Sequence, residues 1–209
     1  MAYAGLWLLA SYLIGAIPTS YLVGRVFKGV DLREHGSRNL GATNLYRTLG
    51  WRYAVPVGLF DVAKGAIPVL VFGPRVPEIP YFPLWCGVLA VVGHVFSVFV
   101  GFKGGKGVAT AGGMVIALAP LAFSVVVAVW VMVVWLTGYV SLGSIIAAAL
   151  FPVADWVLHP ARRSPVTLAI DLALAGFLIW KHRANIQRLL AGTENRFGRR
   201  GRKPPAPAA

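Results

Sequence analysis

Gly93–Thr110 reads G-H-V-F-S-V-F-V-G-F-K-G-G-K-G-V-A-T, and the placing of this stretch decides the fold. It starts inside an apolar run, breaks into Lys103-Gly104-Gly105-Lys106-Gly107 and returns at once to apolar sequence. Two cations and three glycines between apolar walls are costly in lipid unless the backbone lines a polar cavity. A glycine-rich turn with lysines presents bare N–H groups and positive charge, which suits a phosphate. The stretch is therefore expected to be a phosphate-binding loop in a membrane protein, with Gly101, Lys103, Gly104, Gly105, Lys106 and Gly107 as its binding residues. A plain cytoplasmic turn anchored by two lysines fits the spacing equally well.

Composition supports the membrane. Of 209 residues 57% are hydrophobic and 13% charged, the latter about half the share of a soluble domain, and the mean hydropathy is +0.70. Seven tryptophans, several near the ends of apolar runs, suit interfacial belts. A net charge of +13 would suggest nucleic acid in a soluble protein; here basic loops facing an anionic leaflet explain it, and no nucleic-acid partner is expected. The lone Cys86 allows no intrachain disulfide, and no Cys/His cluster has zinc spacing, so no metal is expected. The N-terminal M-A-Y-A-G-L-W-L-L-A lacks a basic flank and a clear cleavage site, and reads as a retained helix.

Outward from the loop, apolar runs at 3–24 (with a kink at Pro18), 53–72, 84–101, 140–158 and 166–181 each read as one span. The run 108–136 is too long for one crossing and carries Gly112, Gly113 and Pro120, so it is either one tilted helix or two, 108–119 and 120–136. Parity decides. Six Arg/Lys lie between 25 and 52, two lysines in 103–107, and seven Arg/Lys follow His182. Seven spans place all three basic regions on one side, so the expectation is an all-α polytopic membrane protein of about seven transmembrane helices, N-terminus outside and C-terminus cytoplasmic. Residues 1–197 are expected as a single transmembrane catalytic domain and 198–209 as a disordered basic tail. Asp61 and Lys64, three apart in the second span, can neutralise each other. No internal repeat is visible, which weakens a reading as an inverted-repeat transporter.

Three polar segments thus fall on one membrane face. The first supplies Gly36, Ser37, Asn39, Asn44 and Arg47, the last two on the polar side of a short helix over about 40–49. The second is the glycine loop. The third, K-H-R-A-N-I-Q-R-L-L-A-G-T-E-N, places His182 and Asn185 one turn apart, with Glu194 after a break at Gly192. Plainer roles remain open: a turn or N-cap for Ser37, and a helix C-terminal cation for His182. The loop lacks the Gly-Lys-Ser/Thr ending of a Walker A sequence, no His is followed five positions later by Asp, and no G-x-S-x-G elbow exists. Few acidic residues accompany the segments, which argues against a two-metal phosphotransferase.

G-S-R-N-L-G-A-T-N-L-Y-R, G-H-V-F-S-V-F-V-G-F-K-G-G-K-G-V-A-T and H-R-A-N-I-Q-R-L-L-A-G-T-E-N, in that order, closely resemble the three motifs of the bacterial acyl-phosphate:glycerol-3-phosphate acyltransferase family, the PlsY type. The resemblance runs to about Gly198. Two departures are Arg38, where the family usually has Gly, and Ser97, where it often has Pro.

The resemblance implies transfer of a fatty acyl group from acyl phosphate to the 1-hydroxyl of sn-glycerol 3-phosphate, giving lysophosphatidate and phosphate at the cytoplasmic face of a bacterial plasma membrane. It implies no cofactor, membrane lipids as neighbours, and functional coupling to the enzyme that makes acyl phosphate. Carried over by position, Ser37, His182, Asn185 and Glu194 are the candidate catalytic residues. Arg47, Asn44 and the Gly101–Gly107 loop are the substrate-binding ones. The chemistry suits them, because two phosphorylated substrates need cations and N–H donors more than metal ions. Phosphate leaves a mixed anhydride readily, so no nucleophile triad is required. A small transporter or channel for organic phosphates, using the same loop for selectivity, is the alternative.

Overall fold

The computed structural model describes residues 2–197, and every regular element among them is helical. The expected tail, 198–209, lies outside the described residues. The chain divides into two compact units at Phe123/Ser124.

The first unit holds α1 (Ala2–Ala16), α2 (Thr19–Lys28), α3 (Ala42–Leu49), α4 (Trp51–Ile67), α5 (Phe82–Val95) and α6 (Val108–Leu118). α1 packs on α5 and α4 on α6, both through glycines. Gly15 faces the Ala90 carbonyl and Gly93 the Tyr12 carbonyl; Gly65 faces that of Thr110 and Gly113 that of Val62. Any Cβ at these positions would overlap the neighbouring backbone, which is how membrane helices without a hydrophobic drive between them gain contact. Pro18 splits the first span: α1 and α2 bend by 42° across Ile17–Pro18. The carbonyls beside the break accept hydrogen bonds from side chains far along the chain. Ser97 Oγ donates to Ala16, and Lys64 Nζ donates to Ile17 at 2.9 Å. The ion pair expected in α4 is present, Lys64 Nζ lying 2.7 Å from Asp61 Oδ1. Pro68 has no N–H for the Lys64 carbonyl, and α4 widens there into a π turn over Pro68–Phe72 before ending in a 3-10 turn at Gly73–Arg75.

α7 (Pro120–Thr137) follows α6 after a single residue, Ala119, so the long run 108–136 is two helices. The second unit takes most of α7, then α8 (Val140–Leu158), α9 (Pro165–Lys181) and α10 (Arg183–Leu190). α8 packs on α9, and Trp130 Nε1 donates to Ser144 Oγ at 3.2 Å. Ser164 caps α9 by accepting the Thr167 N–H at 3.0 Å. The α7 side chains Leu121, Val131, Met132, Trp135 and Leu136 are each more than half exposed on one face of the helix, opposite the buried Ala122 and Val126, an apolar surface that suits lipid and not water.

Among the described residues four helical stretches are long and apolar enough to cross a membrane: Trp51–Arg75, Phe82–Val100, Pro120–Thr137 and Val140–Leu158. Counting the bent pairs α1–α2 and α9–α10 as one span each gives up to six. A seventh crossing rests on α6. Its 11 residues extend about 16 Å, against roughly 30 Å of hydrocarbon.

Candidate functional site

Two polar clusters stand out, one in each unit. In the first unit the chain between α2 and α3 wraps around Asn44. This residue is 1% exposed, and its amide is fully engaged: Oδ1 accepts the Ser37 N–H at 2.8 Å, while Nδ2 donates to the carbonyls of His35 at 3.0 Å and Leu32 at 3.2 Å. Asn44 therefore holds the loop that presents Ser37, where the helical pattern had put it on a polar side aimed at the site. Burial of its amide is tolerable because three backbone groups satisfy it. Asp31 fixes the loop's start, its carboxylate taking Arg33 at 2.7 Å. The Arg33 guanidinium holds that carboxyl well down, at about 2. Gly36 has φ +57° and lies against Asn44 Oδ1, so no side chain fits there. Arg38 adopts φ 59°, a left-handed turn that glycine would adopt without strain. Arg47 and Ser37 are half-buried.

The glycine loop adjoins this segment. Leu32 and Leu40 from the first loop share an apolar core with Leu45, Ala54, Val57 and Val100, the last being the residue before Gly101. The Gly104 N–H donates to the Val95 carbonyl at 3.0 Å and the Gly105 N–H to the His94 carbonyl at 3.1 Å. These two donors thus satisfy the end of α5 and are not aimed at a ligand. A Cβ on Gly105 would overlap the His94 ring and the Leu40 carbonyl, so glycine serves close approach there. Lys103 is exposed and Lys106 half-buried. Gly107, at φ 84°, caps α6, whose first backbone bond runs from Ala111 N–H to the Gly107 carbonyl at 2.7 Å. The N–H groups of Val108, Ala109 and Thr110 have no partner within the helix, and they form the positive end of its dipole beside Lys106. Positive charge and helix N–H groups thus coincide at the exit of the stretch, Lys106 to Ala109.

In the second unit α9 and α10 bend by 57° at His182, so His182 and Asn185 flank a corner and do not share one continuous helix. His182 is 3% exposed, and its Nδ1 meets the Leu178 carbonyl at 2.8 Å. A carbonyl only accepts, so Nδ1 carries the hydrogen and Nε2 is the basic nitrogen of the ring. Glu194, 7% exposed, collects three donors: Asn185 Nδ2 at 2.8 Å and Ser141 Oγ at 2.9 Å on Oε1, and Arg188 Nε at 2.7 Å on Oε2. Burial alone would raise its carboxyl, but the hydrogen bonds from Asn185, Arg188 and Ser141 outweigh burial and hold it below the ordinary value. Glu194 clamps α10 to the start of α8. Ser141 and Arg188 went unassigned in the sequence: Ser141 opens an apolar helix outside every motif, and Arg188 is one of many basic residues. Among the described residues no group of three or more His, Cys, Asp or Glu side chains has metal-binding geometry.

The family model for glycerol-3-phosphate acyltransferase matches residues 5–192. The chain belongs to that family. Among relatives bearing the family's name, that of Trichlorobacter lovleyi is 46% identical over 93% of this chain and 98% of its own. That of Desulforudis audaxviator is 48% identical over 90% and 92%. Two solved structures of PlsY, an integral membrane glycerol 3-phosphate acyltransferase, share the fold. Its glycerol 3-phosphate form matches with a TM-score of 0.85 at 40% identity, covering 93% of this chain and 96% of that one. Its lysophosphatidic acid form matches with a TM-score of 0.83 at 38% identity, covering 95% and 97%.

Proposed function

We propose that this protein transfers a fatty acyl group from acyl phosphate to the 1-hydroxyl of glycerol 3-phosphate, releasing lysophosphatidate and phosphate. The observation that carries the reading is the exit of the glycine loop. With Gly104 and Gly105 tied to α5, Lys106 and the first turn of α6 form a cationic, N–H-lined anion site in the same unit as Arg47 and Ser37. Lys106 acts there as a point charge on the phosphate of glycerol 3-phosphate, and Arg47 as a bidentate phosphate clamp. Ser37 is given to the polar end of the acceptor, and Asn44 to holding its loop.

The reaction needs little covalent help. The glycerol 1-hydroxyl oxygen attacks the acyl carbonyl carbon, the carbon–oxygen bond to phosphate breaks, and phosphate departs with the electron pair. The hydroxyl proton goes to His182 Nε2 or to a phosphate oxygen of the substrates. Asn185, fixed through Glu194, is assigned to the developing oxyanion, and Glu194 to holding Asn185. No cofactor is needed on this reading.

The setting is a bacterial plasma membrane, with the C-terminus and the basic segments cytoplasmic and the acyl chain entering from the bilayer. Seven crossings result if α6 counts as one, and its length then requires the glycine loop to begin below the head groups. The carrier alternative is set aside, since the family and the relatives above are transferases. Purified protein in detergent with palmitoyl phosphate and glycerol 3-phosphate tests the reading, with lysophosphatidate and released phosphate scored. Turnover with acyl-CoA and none with acyl phosphate would sink the donor assignment. Uptake of glycerol 3-phosphate into liposomes with no product would restore the carrier.

A further inference from the structure

Against the glycine loop, the first unit buries a charged group that the reaction above does not use. Asp61, Lys64 and His94 come from α4 and α5 and are 2, 1 and 8% exposed. Lys64 Nζ donates to Asp61 Oδ1 at 2.7 Å, and Thr19 Oγ1 donates to the same oxygen at 3.3 Å. His94 Nδ1 stands 3.8 Å from that oxygen, within ion-pair range. The other edge of the His94 ring meets the loop, for Nε2 is the atom that a Cβ on Gly105 would strike first. The next residue is Lys106.

Burying an ammonium, a carboxylate and an imidazole between spanning helices is costly, and apolar side chains of the same volume would hold the fold as well or better. What the group supplies instead is fixed geometry. Asp61 sits against one edge of the imidazole, the opposite edge sets where Gly105 lies, and the Gly105 N–H is pinned to the His94 carbonyl. Lys64 ties the same carboxylate to the break in the first span through the Ile17 carbonyl.

We propose that Asp61, Lys64 and His94 are positioning residues for phosphate recognition: through the His94 ring they hold Gly105, and with it Lys106 and the first turn of α6, in the geometry that takes glycerol 3-phosphate. This rests on the phosphate reading of the loop given above. Sites of this kind need their groups within about 0.5 Å of the productive arrangement, and a shift of about 1 Å costs on the order of 100-fold.

The test compares wild type with Lys106→Ala, His94→Ala, the near-isosteric His94→Gln, and Asp61→Leu combined with Lys64→Met. Each is purified in detergent and read three ways: calorimetric Kd for glycerol 3-phosphate without acyl donor, KM for each substrate, and thermal unfolding. The double variant removes the ion pair whole, so no unpaired charge is left to unfold it. His94→Ala and the double variant are expected to weaken glycerol 3-phosphate binding by about tenfold or more, leaving the KM for acyl phosphate within about twofold. His94→Gln is expected to recover part of the loss. If Lys106→Ala leaves the Kd unchanged, the phosphate reading fails and the positioning proposal fails with it. If Lys106→Ala weakens binding while His94→Ala or the folded double variant keeps the wild-type Kd, the positioning proposal alone is overturned. A lower kcat with unchanged Kd and KM marks a structural role and overturns it too.

Discussion

Arg38 carries a side chain at φ 59°, two residues after Gly36 at φ 57°. A left-handed backbone costs a non-glycine residue about 1–2 kcal/mol, and glycine returns part of that through its freedom in the unfolded chain. Arg38→Gly is therefore expected to stabilise the protein by a net 0.5–1 kcal/mol or so, read as a raised Tm in detergent with activity retained. Glu194 gives a prediction of the other sign. Its folded carboxyl lies below the ordinary value of 4.5, so its contribution is complete above that pH and is lost as the pH falls through the lower, folded value. Thermal stability is expected to drop on the acid side of pH 4.5, and Glu194→Gln to flatten that limb. A variant as acid-sensitive as wild type would remove Glu194 as the clamp. The sequence marked Glu194 as a residue of the third motif, but its partners Ser141 and Arg188 could not be read. Three donors 53, 9 and 6 positions away converge only once α8 and α10 are packed.

Among the elements, α4 and α6 approach most closely through glycine. Gly65 faces the Thr110 carbonyl and Gly113 the Val62 carbonyl, so the crossing has no room for a side chain at either point. Gly113→Leu is expected to push α6 off α4 and displace the loop at its head, with little folded protein surviving solubilisation, as size-exclusion chromatography would show. Gly112→Ala, one position along, meets only the edge of Phe123 at 3.6 Å and is expected to be tolerated. Where spans begin and end was legible, because about 20 apolar residues between polar flanks have few alternatives in lipid. The split of 108–136 and the break at Pro18 were legible too, from glycine and proline chemistry. The corner at His182 was not: K-H-R-A-N has no breaker residue, and the bend is set by tertiary contacts that hydropathy does not report.

At the scale of the whole molecule, positive charge fixes the expected orientation. A C-terminal green fluorescent protein fusion is expected to fluoresce in a bacterial host, and a C-terminal alkaline phosphatase fusion to be inactive; the reverse pattern would invert the topology. Family and chemistry were readable because three motifs carry them in linear sequence. The division of labour inside the second motif was not. Gly104 and Gly105 let the loop lie against the end of α5 and the Leu40 carbonyl, a close approach that the linear spacing of the glycines does not reveal.

The break between α1 and α2 has a consequence for biosynthesis. The Ile17 carbonyl takes its hydrogen bond from Lys64, 47 residues on, and the Ala16 carbonyl from Ser97, 81 residues on. At about 5–20 residues per second, translation reaches Ser97 roughly 4–16 s after Ala16 has left the peptidyl-transferase centre. Throughout that interval the Ala16 carbonyl lacks its Ser97 donor, and the Ile17 carbonyl beside the proline has only its local donor, the Thr19 N–H at 3.0 Å. A ribosome stalled before residue 97 therefore leaves a nascent chain that insertion and quality-control machinery can recognise as incomplete. The first span to enter the bilayer is finished only when residue 97, close to the middle of the chain, has been made.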